Sequence, residues 1–211
     1  MLEYKTTDGY AQTEWEVQKS RFISYVNHVE NETQAQDFVN QIRKKHFDAT
    51  HNCYAYIIGE HSDTQKSNDD GEPSGTAGVP ILEVLKKNEL SDVVVVVTRY
   101  FGGIKLGAGG LIRAYGKSAT LGLEASVIVK KSVFNCYNLS MDYDLLGTLE
   151  NYLHQKEIRI KDKNYTDKVD ITILLPQNDS ENTLKDITNL SAARCKITKL
   201  DTVYLNIPVE K

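Results

Sequence analysis

The 211-residue sequence has few prolines (4), few cysteines (3) and one tryptophan, and its 13 glycines are no excess. Collagen-like and low-complexity classes are excluded by that composition. The cysteines, Cys53, Cys136 and Cys195, are odd in number and have no CxxC spacing, which argues against a disulfide framework or a zinc knuckle. No apolar run approaches the roughly 20 residues needed to cross a bilayer. The first eight residues are polar and acidic, unlike a signal peptide, so no membrane partner is expected and the chain reads as cytoplasmic. Net positive charge is lacking too: 25 Lys and Arg against 29 Asp and Glu give -4. Wrapping of nucleic acid by the whole surface is excluded, since phosphate neutralisation needs clustered cations, and any such contact is local.

What remains is an ordinary globular composition, 40% hydrophobic and 26% charged, long enough for one large domain or two small ones. The charge is uneven. Residues 60–72 hold Glu60, Asp63, Asp69, Asp70 and Glu72 against Lys66, whereas residues 93–123 hold Arg99, Lys105, Arg113 and Lys117 with no acid.

Alternation of Trp15 and Val17 with Glu14, Glu16 and Gln18, followed by Phe22 to Val26, predicts two antiparallel strands. Asn31 and Gln34 resemble a capping box ahead of a helical stripe of Ala35, Phe38, Val39 and Ile42, so a helix is expected over 32–46. A strand at 53–58 is followed by a polar stretch over 59–78, of which residues 60–76 are expected to be mobile and to be cut first at Lys66; Pro80 then opens a short helix at its first position. Five consecutive valines, Val93 to Val97, suit a strand buried on both faces. A glycine-rich turn containing Gly102, Gly103, Gly107, Gly109 and Gly110 leads into a helix over 111–126 that carries Arg113 and Lys117 outward. After residue 130 the pattern reads βαββαβ, a ferredoxin-like order. The expected domains are 1–130 and 131–211.

Three blocks carry a resemblance: His51-Asn52-Cys53-Tyr54-Ala55-Tyr56, Asp69-Asp70-Gly71-Glu72-Pro73-Ser74-Gly75-Thr76-Ala77-Gly78, and Thr98-Arg99-Tyr100-Phe101-Gly102-Gly103 through Tyr115. With Lys19-Ser20-Arg21-Phe22, they resemble the signature blocks of the IMPACT/YigZ family. The resemblance implies an α+β protein: an N-terminal domain like ribosomal protein S5 domain 2, then a ferredoxin-like domain. That pair is similar to the fourth and fifth domains of elongation factor G. Eukaryotic members are associated with restraint of the amino-acid-starvation kinase through competition for its activator. They carry an RWD domain with no counterpart in this sequence, so that partner is not carried over.

Several chemistries compete. The glycine turn, Lys105 and Arg113 suit a phosphate held on free amides at a helix start, although neither GxxxxGK[ST] nor GxGxxG is present. The alternative is tight turning alone. Asp69, Asp70 and Glu72 read as a solvated acidic loop in preference to a metal site, with Ser74 and Thr76 beside them as hydroxyl donors. His51 and Cys53 share a strand face but lack an orienting partner, so packing is preferred to thiol catalysis; His28, His46, His61 and His154 read as surface residues. Tyr100, Phe101 and Tyr115 suit base stacking, with core packing as the alternative. The leading expectation is a non-enzymatic RNA- or ribosome-contacting regulator of translation without a cofactor. Its phosphate contacts would be Arg99, Lys105, Arg113 and Lys117, with Lys19, Arg21, Tyr100, Gly107, Gly109 and Gly110. An enzyme acting on a small phosphorylated ligand or nucleotide, and a module that binds a protein partner, are the alternatives.

Overall fold

A computed structural model describes residues 2–209. Two compact units are present: residues up to Lys131 together with the last stretch from Asn206, and Ser132–Leu205.

In the first unit, strands β1 (Tyr4–Thr7), β2 (Ala11–Val17) and β3 (Ser20–His28) precede helix α1 (Glu32–Lys45); β4 (His51–Ile58), β5 (Thr64–Asn68), α2 (Gly78–Lys87), β6 (Val93–Tyr100) and α3 (Gly107–Glu124) follow. Five strands form a sheet in the order β2-β3-β6-β4-β5, antiparallel throughout. The valine strand lies at its centre. Val94 and Val96 face α1 with Phe38, Val39 and Ile42, while Val93, Val95 and Val97 face α2 and α3 with Ile81, Leu85, Ala114 and Leu123. All five valines are fully buried, and each such side chain stabilises by about 1.5–3 kcal/mol relative to exposure. Two-sided burial explains why this strand has no polar alternation. Asn31 caps α1, its Oδ1 accepting from Gln34 N at 2.9 Å.

Long strand β7 (Ile128–Met141) pairs by residues 128–131 with β1 and by residues 134–141 with β9. The second unit adds α4 (Tyr143–Gln155), β8 (Arg159–Tyr165), β9 (Val169–Pro176), α5 (Ser180–Leu190) and β10 (Lys196–Pro208). Its strand order is β8-β9-β7-β10, and the apolar stripe Leu145, Leu149 and Leu153 of α4 closes its core with Leu139, Ile171 and Ile173. The first unit has the S5 domain 2-like fold and the second the ferredoxin-like fold, an α+β chain as the sequence implies. Among the described residues no helix is long and apolar enough to cross a membrane.

The structure corrects three local expectations. Residues 59–78 are not one structureless loop, since Thr64–Asn68 forms β5, hydrogen-bonded along β4 from Tyr54 to Ile58. Helix α3 begins at Gly107, four residues early, so Gly109 and Gly110 lie inside its first turn; the turning is done by Gly103 (φ +86) and Gly107 (φ +69). Pro80 is the third residue of α2, which opens at Gly78.

Candidate phosphate-binding site

Strand β6 delivers Arg99 to the end of the sheet, next to the start of α3. The loop after β5 brings Glu72 to meet it: Arg99 Nη1 donates to Glu72 Oε1 at 2.6 Å, and Tyr115 OH from α3 donates to the same oxygen at 2.8 Å. Both partners of the ion pair are buried, with side-chain exposures of 6% and 3%. Arg99 Nη2 is 3.4 Å from Ser20 Oγ, and its Nε finds no acceptor. His51 donates through Nδ1 to Asp70 O at 2.8 Å, which leaves Nε2 facing Glu72 Oε2 at 3.7 Å. Cys53 Sγ donates to Asp69 O at 2.9 Å, and burial pushes its thiol up, so it packs as an inert residue.

The acidic residues are engaged one by one instead of solvated, a correction to the sequence reading. Asp69 Oδ1 accepts from Ala77 N at 3.1 Å and Gly78 N at 2.8 Å, and Oδ2 accepts from Gly75 N at 2.8 Å, so this side chain caps α2 from outside the helix. Burial pushes the Asp69 carboxyl up, but the three N–H donors outweigh it and hold it below the ordinary aspartate value. Asp70 accepts from Arg43 Nη2 at 2.6 Å and from Asn52 N at 2.7 Å. Thr98 Oγ1 donates to Asn52 Oδ1 at 2.7 Å, Thr76 Oγ1 donates to Pro73 O at 2.6 Å, and Ser74 is exposed. Among the described residues no group of three His, Cys, Asp or Glu side chains is placed to hold a metal ion.

Above this network lies a cavity of about 430 Å³, walled by Thr50, His51, Arg99, Phe101, Lys105 and the α3 start at Gly107 and Ala108. Among the described residues no side chain caps α3 and no acid stands in its first turn; the Glu72 carboxylate lines the same cavity but is engaged by Arg99 and Tyr115, so the positive end of this 18-residue helix has no acid of its own. Lys105, Arg113 and Lys117 are exposed, as is Lys19. Among the described residues none of the four has a carboxylate at ion-pair distance. The backbone places Lys19 beside the loop that leads to α3. The β2–β3 turn, Gln18 (φ 45) and Lys19 (φ 63), lies so near Gly102 that a Cβ there would meet Lys19 O at 1.9 Å. Arg113 and Lys117 share a neighbouring pocket with Gln18 and Leu106, and Leu106 also lines the first cavity.

Other residues expected to make contacts have partners within the protein. Arg99 is not a surface cation, because Glu72 neutralises it inside the protein. Arg21 lies over the Tyr100 ring at 4.6 Å and 3.8 Å from Glu14. Tyr100 is covered by that guanidinium, and its OH is tied to His46 Nδ1 at 2.8 Å and Asp48 Oδ1 at 3.0 Å. Tyr115 is fully buried. His46 is a buried link, not a surface residue, with Tyr25 OH at 2.5 Å from its other ring nitrogen; burial, then Lys45 and Arg21, lowers its pKa. Sequence reasoning missed the roles of Ser20 and Arg43, and only their proximity in the fold reveals them.

An S5-like domain whose cation-bearing helix start is followed by a ferredoxin-like domain defines a two-domain class of protein. Comparison with known proteins agrees: residues 18–123 match the Impact N-terminal domain and residues 139–194 a domain of unknown function, DUF1949. The chain belongs to the IMPACT family. It is 45% identical over 202 residues to IMPACT family member YvyE of Bacillus subtilis (strain 168), covering 96% of this chain and 93% of that protein. IMPACT family member YigZ of Escherichia coli (strain K12) is 37% identical, covering 76% and 80%. Protein IMPACT homolog of Dictyostelium discoideum is 41% identical over 42% of this chain and 26% of its own length. A solved structure described as the crystal structure of a hypothetical protein is 30% identical, with a TM-score of 0.61, over 95% of this chain and 98% of that one.

Proposed function

We propose that this chain is a regulator of translation that contacts the phosphate backbone of RNA, free or within the ribosome, without reading base sequence. One observation carries the reading: four exposed cations, none with a carboxylate partner among the described residues, lie on and beside α3, with Lys105 just ahead of its uncapped start, Arg113 and Lys117 four residues apart along it, and Lys19 in the turn packed against Gly102. In a chain of net charge -4, such a gathering supplies the local field that phosphates require. Glycines at 107 and 109 add no side chain between the first amides of α3 and an approaching phosphate oxygen. Arg99 serves from below, as a buried strut that fixes the Glu72 loop beneath the cavity. Co-sedimentation with ribosomes tests this reading. The chain should travel with ribosomal particles at low salt and leave them as salt rises, and a chain that never co-sediments and never binds free RNA contradicts it.

A second reading, an enzyme acting on a small phosphorylated ligand, is favoured by the imidazole of His51 at 3.7 Å from the buried Glu72 carboxylate in a ligand-sized cavity. Its test is a melting shift with nucleotide and magnesium.

A further inference from the structure

Phe101 is the aromatic residue that stacking chemistry requires, and Tyr100 and Tyr115 are not. Its side chain is 45% exposed while Tyr115 is buried and the Tyr100 ring is covered by Arg21. An exposed phenyl ring on a loop is ordinarily mobile, but this one is held. Its backbone N–H donates to Thr50 Oγ1 at 3.0 Å, and the Arg99 guanidinium, locked by Glu72, lies over one face of the ring at 5.5 Å from its centroid, so a base would meet the opposite face or the edge. The ring lines the 430 Å³ cavity together with Lys105 and the first residues of α3, Gly107 and Ala108.

We infer that this cavity takes one nucleotide splayed out of a single-stranded RNA, its base against Phe101 and its phosphate on Lys105 and the start of α3. This deepens the proposed phosphate contact and rests on it. The volume falls in the range of roughly 300–1,000 Å³ typical of small-ligand sites. A duplex keeps its bases stacked and paired, so it can meet the surrounding cations but cannot present a base to the ring. The cavity thus converts a field that any polyanion would feel into a preference for single strands, tolerant of sequence because every base has a π-face.

Fluorescence anisotropy with a labelled single-stranded RNA and with the blunt duplex of the same sequence tests the inference at low salt. Phe101→Ala should weaken single-strand binding about tenfold or more and leave duplex binding unchanged. Phe101→Trp should retain the preference, and Phe101→Leu, which keeps the apolar bulk and should fold normally, should lose it like Phe101→Ala. Single-strand affinity unchanged in both truncated rings, or an equal loss for strand and duplex, overturns the nucleotide cavity while the phosphate contact stands. Binding of neither RNA by the unaltered protein overturns both.

Discussion

Arg99 and Glu72, 27 residues apart in sequence, form a buried ion pair of 2.6 Å at the floor of the candidate site. Removing one partner strands the other charge in a low-dielectric interior. Glu72→Ala should therefore destabilise the protein by about 3–5 kcal/mol. The double variant Glu72→Leu with Arg99→Met should recover much of that loss, because replacing a buried pair by apolar side chains is often close to neutral. Urea unfolding of the three proteins checks this, and a Glu72→Ala midpoint equal to the parent's would contradict it.

Asp69 holds three backbone N–H groups at the start of α2. Asp69→Ala should cost about 1–2 kcal/mol, as the loss of a helix cap does. Its carboxyl titrates lower in the folded protein than its ordinary 3.8. The sign follows: its contribution is present above that unfolded value and fades as pH falls through the folded one. Asp69→Asn should accordingly flatten the loss of stability below pH 3.8, measured as melting temperature against pH. An unchanged profile would assign the acid sensitivity to other carboxylates.

Lys66 sits within β5, its residue paired with Tyr56 of β4. The strand already has the extended backbone a protease binds, but its ladder hydrogen bonds to β4 must open before the protease can take it, so limited trypsin digestion should spare Lys66. Early cleavage there would return residues 60–76 to the status of a loose loop.

The second unit, residues 132–205, should fold when produced alone, because the core of Leu139, Leu149, Leu153, Ile171 and Ile173 lies within it. Cooperative urea unfolding of that fragment is the check. A fragment without a transition would tie its stability to the rest of the chain.

How much of this was legible in the sequence depended on whether the signal was local. Val93 to Val97 announced a strand buried on both faces, and Asn31 with Gln34 announced the start of α1, because both signals lie within a few residues. The βαββαβ order of the second unit was legible for the same reason. Strand β5 was not: Thr64-Gln65-Lys66-Ser67-Asn68 is polar, and it is held by backbone hydrogen bonds to an edge that periodicity cannot register. The cluster of Lys105, Arg113 and Lys117 was visible as a stretch without acids, whereas the neutralisation of Arg99 depended on a glutamate from a distant loop. A charge count along the chain sees cations but not their partners.

The most direct measurement is the salt dependence of single-stranded RNA binding by the unaltered protein and by a Lys105→Glu, Arg113→Glu, Lys117→Glu variant. All three side chains are exposed, so the variant should melt like the parent. With three or four phosphates neutralised, the logarithm of affinity should fall with the logarithm of salt at a slope of roughly -2 to -3, at about -0.7 per phosphate on a single strand. The variant should bind every sequence more weakly and with a flattened slope, since phosphate contacts carry no base identity. A folded variant with unchanged affinity and unchanged slope would contradict the account.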